Sequence, residues 1–301
     1  MAGIGDNLHE RAIVRELARD NDVWVRTSWP QIYWDMPQLK LLPAESKTPW
    51  MVRNERNNAG HYCHERLPAG ARRILNGYLS VMPDGIKQYG SVLGTMAHIC
   101  EVPPVDDFRM PIKPEWYVKA HELLRKHAPS KPLLIYRPPM TVLNWRRKLI
   151  TAKVARNPEL ADNFELISSI REKFFVISLA NCTGFEELAG PRLKADLEFH
   201  RGELSFETMA ALTSMAALVF CSPGFACVLA QAVGTPSICV FGGFEGKESF
   251  SVGAQYAPWL PIEPINPCAC WSHGCEHDKK IDVGSAKKKI DAFIAGLTCK
   301  H

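Results

Sequence analysis

The sequence predicts an α/β protein built around a parallel sheet with helices on both faces. Three observations carry that prediction. The second half alternates short apolar runs with amphipathic helical patterns, the signature of a parallel sheet. Residues 218–243, LVFCSPGFACVLAQAVGTPSICVFGG, contain a complete strand, turn, helix and strand. The length of 301 residues is a prior for two domains rather than one.

The 218–243 unit can be justified residue by residue. Leu218 to Cys221 is a continuous apolar run, as in a strand buried on both faces. Ser222-Pro223-Gly224 breaks it with turn chemistry. Phe225, Val228, Leu229 and Ala232 recur at helical spacing. Gly234 suits a left-handed helix end, and Pro236 forbids further helix. Ser237 to Phe241 is the second strand, closed by Gly242-Gly243. A right-handed crossover places the turn at the carboxyl edge of the sheet. There the unpaired N–H groups opening the Phe225 helix attract an anion, and Gly224 lets a phosphate approach the backbone.

The chain opens on Ala2-Gly3-Ile4-Gly5-Asp6-Asn7, read as a Gly-rich turn before a helix. Asn7 and Glu10 form a capping box, and Leu8, Ala12, Ile13, Leu17 and Ala18 supply the apolar face. Val23 to Val25 is a strand. Such a turn normally follows a strand, and only Met1 precedes it, so the first strand of this half is expected to be either missing or supplied from elsewhere. A dinucleotide fingerprint is rejected, because Leu8 stands where the third glycine belongs.

Residues 28–110 are irregular, with recurring Pro and Trp. The stretch Arg53 to Arg73 is rich in Arg, Asn and His; it is either solvated loop or an acceptor-binding face. His61, Cys63 and His64 lack further metal ligands and are read as solvated. Pro114 to His127 is a helix. The break at 128–132 sets the domains at 1–130, the acceptor side, and 131–301, the donor side. Leu133 to Tyr136 begins a new strand ending in Arg137, with Arg146 and Arg147 beyond, positive charge at a strand's carboxyl end. Phe164 to Lys173 is a helix, Phe174 to Ala180 a strand, and Ser205 caps a helix to about Ala217.

Pro267 to His277 gathers Cys268, Cys270, Cys275 and His277. These are zinc ligands, at a C-x-C spacing tighter than common structural sites use, or free thiols in a redox-sensitive loop. Cys221 and Cys239, inside strands, are read as inert small hydrophobes. An amphipathic helix from Ser285 ends the chain.

Composition narrows the class. The chain is 46% hydrophobic, enough to build cores, and no apolar stretch reaches membrane-spanning length. A net charge of +4 permits an anionic partner without demanding one. No secretion signal is visible, so a reducing, cytoplasmic setting is expected.

Together, GIGD opening a helix, GELSFETMAALTSMAALVF, CSPGFACVLAQAVGTPSICVFGG and INPCACWSHGC resemble glycosyltransferase family 9, the heptosyltransferases. The likeness is diffuse over 1–130 and better over 131–297. It implies a GT-B-like pair of Rossmann-like domains facing across a cleft. It implies a nucleotide-sugar co-substrate held by the second domain, with no other cofactor, and inversion at the anomeric carbon with no bound metal. Asp6, matching the family's GD motif, is the expected catalytic base, with Gly5 and Asn7 on the acceptor side. Ser222, Gly224, Phe225, Gly243, Glu245, Arg137 and Arg146 are expected to bind the donor, with Lys247 close by. The family's D-x-G and following His are replaced here by Cys221, Ser222 and Cys227, so those contacts do not transfer. The acceptor is a saccharide, such as a lipopolysaccharide core, or a hydroxylated DNA base. The alternative is a non-catalytic nucleotide or nucleotide-sugar module.

Overall fold

The structure is a computed structural model that describes residues 3–46, 48–142, 155–182 and 186–298. It divides into two compact units: Met1–Pro111 with Glu248–Gly253, and Ile112–Lys247 with Ala254–His301. The sequence places the boundary at 128–132. Pro114–His127 instead belongs to the second unit, because that helix packs on the helix Phe206–Met215.

The second unit is built on a sheet of six strands: β3 (Leu133–Tyr136), β5 (Phe175–Leu179), β7 (Leu197–Phe199), β8 (Leu218–Cys221), β9 (Ser237–Val240) and β10 (Trp259–Ile262). Every pairing is parallel, in the order β10-β9-β8-β3-β5-β7. Chain progression therefore runs outward one way from β3 through β5 to β7, and the other way from β8 through β9 to β10. This is the doubly wound order, with its switch point between β3 and β8. Strands at 197–199 and 259–262 escaped the sequence reading because each is short and only partly buried. A further antiparallel pair joins β4 (Met140–Val142) to β6 (Glu186–Leu188).

The pleat sorts the strand side chains onto two faces. Leu134, Tyr136, Val176, Leu218, Phe220, Ile238, Val240 and Ile262 share one core with Leu166, Ile167, Ala286 and Ile290. The last four come from α6 (Leu160–Ile170) and α9 (Val283–Thr298). Leu133, Ile135, Ile177, Val219 and Cys239 alternate with them and are buried as well, so both faces are covered. Among the helices, α5 (Pro114–His127), α7 (Phe206–Met215) and α8 (Phe225–Ala232) form a second packed group. Ser205 caps α7 as expected, accepting the Thr208 N–H at 3.3 Å.

The first unit holds α1 (Ile4–Leu17), α2 (Pro49–Asn57), α3 (Asp84–Tyr89) and α4 (Val92–Ile99). Its strands are one parallel pair, β1 (Trp24–Thr27) with β2 (Lys40–Pro43). Helix α1 starts four residues earlier than the capping reading of Asn7 requires. Gly3 is its N-cap and Ile4 is buried, along with Leu8 and Ala12 on the same face. The core here is polar as well as apolar. The Arg11 side chain, fully buried, forms a two-pronged pair with Asp35 at 2.8 Å and donates to the carbonyls of Ile32 and Arg109. Among the described residues, no helix is long and apolar enough to cross a membrane.

Candidate active site

The switch point of the second unit brings together most of the expected donor-binding residues. Arg137 directly follows β3, and its backbone N–H continues the ladder to the Phe220 carbonyl at 2.9 Å. Its guanidinium donates to the Leu179 carbonyl at 3.0 Å and lies over the Phe225 ring, 4.9 Å from the centroid. Burial lowers its pKa to about 10, with Glu186 opposing, so the group stays cationic at neutral pH. Across the switch point, β8 ends at Cys221, and Ser222 to Gly224 turn into α8.

Gly224 is the N-cap of α8 at φ 141° and ψ −158°. A side chain is disfavoured at that φ, yet a Cβ there would meet nothing within 4 Å. The glycine is therefore set by backbone conformation, and the space in front of it is open. The Ser222 hydroxyl oxygen is buried with no hydrogen-bond partner, which is costly unless a ligand or water supplies one. A cation, a buried hydroxyl and the N-terminus of a helix thus stand at neighbouring strand ends. That combination attracts an oxyanion.

The loop after β9 departs from expectation. Gly242 abuts the Asn157 carbonyl, which a Cβ would approach to 2.2 Å. Gly243 takes the left-handed φ of 84°. Glu245 is not a loop acid offered to sugar hydroxyls. Its side chain is fully buried and ion-paired with Arg156. Sequence reasoning missed Arg156, which also lies over Phe244 and Trp271. Lys247 pairs with Glu263 at 3.3 Å. Arg146 lies outside the described residues.

Below the same strand ends, Cys221, Cys227 and Cys239 are buried with their sulfur atoms within 4.8 Å of one another. Hydrogen bonds from Cys227 first, then Cys239, draw the Cys221 thiol below its ordinary range. The two strand cysteines are buried as expected, but their thiols are hydrogen-bonded to each other and to Cys227 rather than isolated.

In the first unit, Asp6 sits in the opening turn of α1, where the helix dipole favours a carboxylate. Its Oδ1 accepts from the Tyr78 hydroxyl at 2.9 Å, and Oδ2 folds over Gly3, where a Cβ would come within 2.7 Å. Gly5, half-buried, adjoins it in the same turn. Asn7 is neither a cap nor an acceptor contact. It is fully buried, donates to the Gly3 carbonyl at 2.8 Å, and accepts from Thr27 at 2.7 Å and Tyr33 at 3.3 Å. Its role is to tie α1 to the end of β1.

With the N-cap at Gly3, Glu10 belongs to no capping box and is a second carboxyl one helical turn beyond Asp6. Burial first, with the Asp6 charge adding to it, pushes its pKa from 4.5 up to about 7. The i, i+4 spacing of the two acids was the available signal. In the 53–73 stretch, Asn54 and Asn58 turn inward. Asn54 bonds Ser28 and Gln31, and Asn58 bonds the Asn54 carbonyl. His61 and His64 are exposed.

No family model matches this chain, and no curated protein matches it. Solved structures do. The family 9 glycosyltransferase from Veillonella parvula is 10% identical, with a TM-score of 0.57 over 98% of this chain and 96% of that one. The ADP-heptose lipopolysaccharide heptosyltransferase II of E. coli is 8% identical, with a TM-score of 0.54 over 98% of each chain. TibC from enterotoxigenic E. coli, an iron-containing dodecameric glycosyltransferase, is 14% identical, with a TM-score of 0.58 over 99% of this chain and 73% of that one. This chain has the fold of glycosyltransferase family 9 structures, as the sequence motifs implied.

Proposed function

We propose that the protein is a glycosyltransferase that moves a sugar from a nucleotide-sugar donor to a saccharide hydroxyl. One observation carries the reading. Arg137 over the Phe225 ring, the unpartnered Ser222 hydroxyl and the open N-cap at Gly224 stand at one switch point, an arrangement suited to a diphosphate. The fold adds support, since one neighbour, TibC, was solved with ADP-D-β-D-heptose. The comparisons give no support to a DNA acceptor.

In the proposed step, the Asp6 carboxylate takes the proton of the acceptor hydroxyl as its oxygen attacks the anomeric carbon. The bond from that carbon to the diphosphate breaks, and the nucleoside diphosphate leaves with the electron pair. Attack opposite the leaving group inverts the centre. Arg137, Ser222 and the α8 amides stabilise the charge that develops on the diphosphate. The Tyr78 hydroxyl holds Asp6 in one orientation, as a base must be held near the proton it removes.

A panel of nucleotide sugars, screened by melting temperature, tests the donor site, because a ligand bound only by the folded state raises Tm. Arg137→Ala should weaken the responding donor by about tenfold, roughly 1.4 kcal/mol. Release of nucleoside diphosphate with saccharide acceptors tests transfer. If no nucleotide sugar shifts Tm, the donor reading fails. Binding without release on any acceptor identifies a non-catalytic module.

A further inference from the structure

The loop 267–277, which the proposed transfer step does not use, brings four metal-ligating atoms together. Cys268, Cys270, Cys275 and His277 lie with their ligand atoms all within 4.8 Å of one another. The Cys268 and Cys275 sulfurs are 3.6 Å apart, and the Cys270 sulfur is 4.0 Å from His277 Nδ1. Four ligands around one tetrahedral ion, with metal–sulfur bonds near 2.3 Å, would stand ~3.8 Å apart edge to edge. The observed separations match that figure, and all four cysteine and histidine residues belong to the second unit.

The tight spacing explains itself in three dimensions. The loop has two arms, Cys268-x-Cys270, with Ala269 in the left-handed region at φ 50° between the two cysteines, and Cys275-x-His277. They are joined by a turn in which Cys275 N–H bonds the Ser272 carbonyl at 3.4 Å and Gly274 N–H bonds the Ser272 hydroxyl at 3.3 Å. Folding one arm onto the other sets Cys268 against Cys275 and Cys270 against His277. The histidine is oriented as a ligand would be. Its Nε2 lies 3.0 Å from the Ser272 carbonyl. A carbonyl can only accept, so Nε2 carries the proton and Nδ1 keeps its lone pair for the cluster. A backbone carbonyl on the far nitrogen is the usual support for a metal-bound histidine.

We propose that these four residues form a Cys3His site for a tetrahedral, thiolate-preferring metal ion, zinc or iron. With four protein ligands the site is closed, so the ion is structural and leaves no open position for catalysis. Its effect falls on the loop after β9. Ala269 and Trp271, both at positive φ, donate their N–H groups to the carbonyls of Gly243 at 2.8 Å and Phe244 at 3.0 Å. Phe244 stacks on His273 at 4.8 Å and meets His277 edge-on at 5.7 Å. A bound ion would fix residues 242–245 in place through these contacts.

The test uses the full-length chain, purified under reducing conditions without a histidine tag or chelator, after growth with added zinc or iron. Elemental analysis should find about one equivalent of one of these metals. The double variant Cys268→Ser/Cys275→Ser should fall to background, and His277→Ala should retain less than wild type. Because the double variant could misfold, the wild-type protein is also stripped and reloaded with Co2+. Intense visible bands of tetrahedral cobalt thiolate should appear, with three thiols becoming protected from a thiol reagent. Metal loading should also slow amide exchange at Ala269 and Trp271. None of these measurements requires sugar transfer, so the site and the transferase reading can fail separately. The proposal is overturned if reduced protein takes up none of the three metals, if metal persists in the folded double variant, or if Cys268 and Cys275 are joined as a disulfide.

Discussion

The two units solve the problem of buried backbone in opposite ways. In the second, strand pairing satisfies the peptide groups of β3, β8 and β9, and every residue of those strands is buried. The side chains can then be mostly apolar. In the first, two short strands and irregular chain leave carbonyls such as those of Ile32, Arg109 and Ser28 to be met by side chains. Arg11 and Asn54 are buried or part-buried for that purpose. Buried polar groups must be paired by something. Where the ladder does not pair them, side chains do, and the hydrophobic periodicity is lost.

Mutations sharpen this contrast, and the largest effect is expected in the polar core. Arg11→Ala removes the two-pronged partner of Asp35 and the side-chain donor to the Ile32 carbonyl and should cost about 3–5 kcal/mol, read from urea unfolding. An exposed pair is the control: Lys87→Ala, opposite Asp84, should cost under about 1 kcal/mol. Equal losses in the two variants would erase the distinction between the cores. Asp6→Asn comes next. Turnover should fall by ~10²-fold or more with the circular dichroism spectrum preserved, and near-normal turnover would remove Asp6 from the base role. In the apolar unit, Gly242→Ala drives a methyl group into the Asn157 carbonyl and should cost about 1–3 kcal/mol.

A further effect concerns pH. The Glu10 pKa is raised from 4.5 to about 7 in the folded chain. Between those values the native state holds a proton that the unfolded chain has released. Stability from this group is therefore full below about 4.5 and declines as pH rises to about 7. Glu10→Gln should flatten that part of the stability–pH curve. An unchanged slope would show that Glu10 is not the titrating group.

The same contrast decided what could be read in advance. Leu133–Tyr136 and Leu218–Cys221 were plain as apolar runs, and Ser205 as a cap, because each follows a local rule. The helix start at Ile4 was not, since it depends on Thr27 and Tyr33 occupying the Asn7 side chain from elsewhere in the chain. The position of Arg137, Ser222 and Gly224 just past the carboxyl ends of strands was legible because each follows an apolar run directly; their meeting at a switch point was not, because it depends on the strand order. Glu245 was misjudged because its partner Arg156 is remote in sequence. The cysteine arms were visible as residues, but their pairing across a turn was not.

The adjacency of β3 and β8 has a consequence for how the chain is made. Until β8 emerges from the ribosome, β3 can pair only with β5, and its other edge stays open with apolar side chains on both faces. Joining strands so far apart along the chain is slow, because a long loop must close first. Translation stalled between α6 and α7 would therefore leave a sticky half-sheet, an edge open to pairing with other chains.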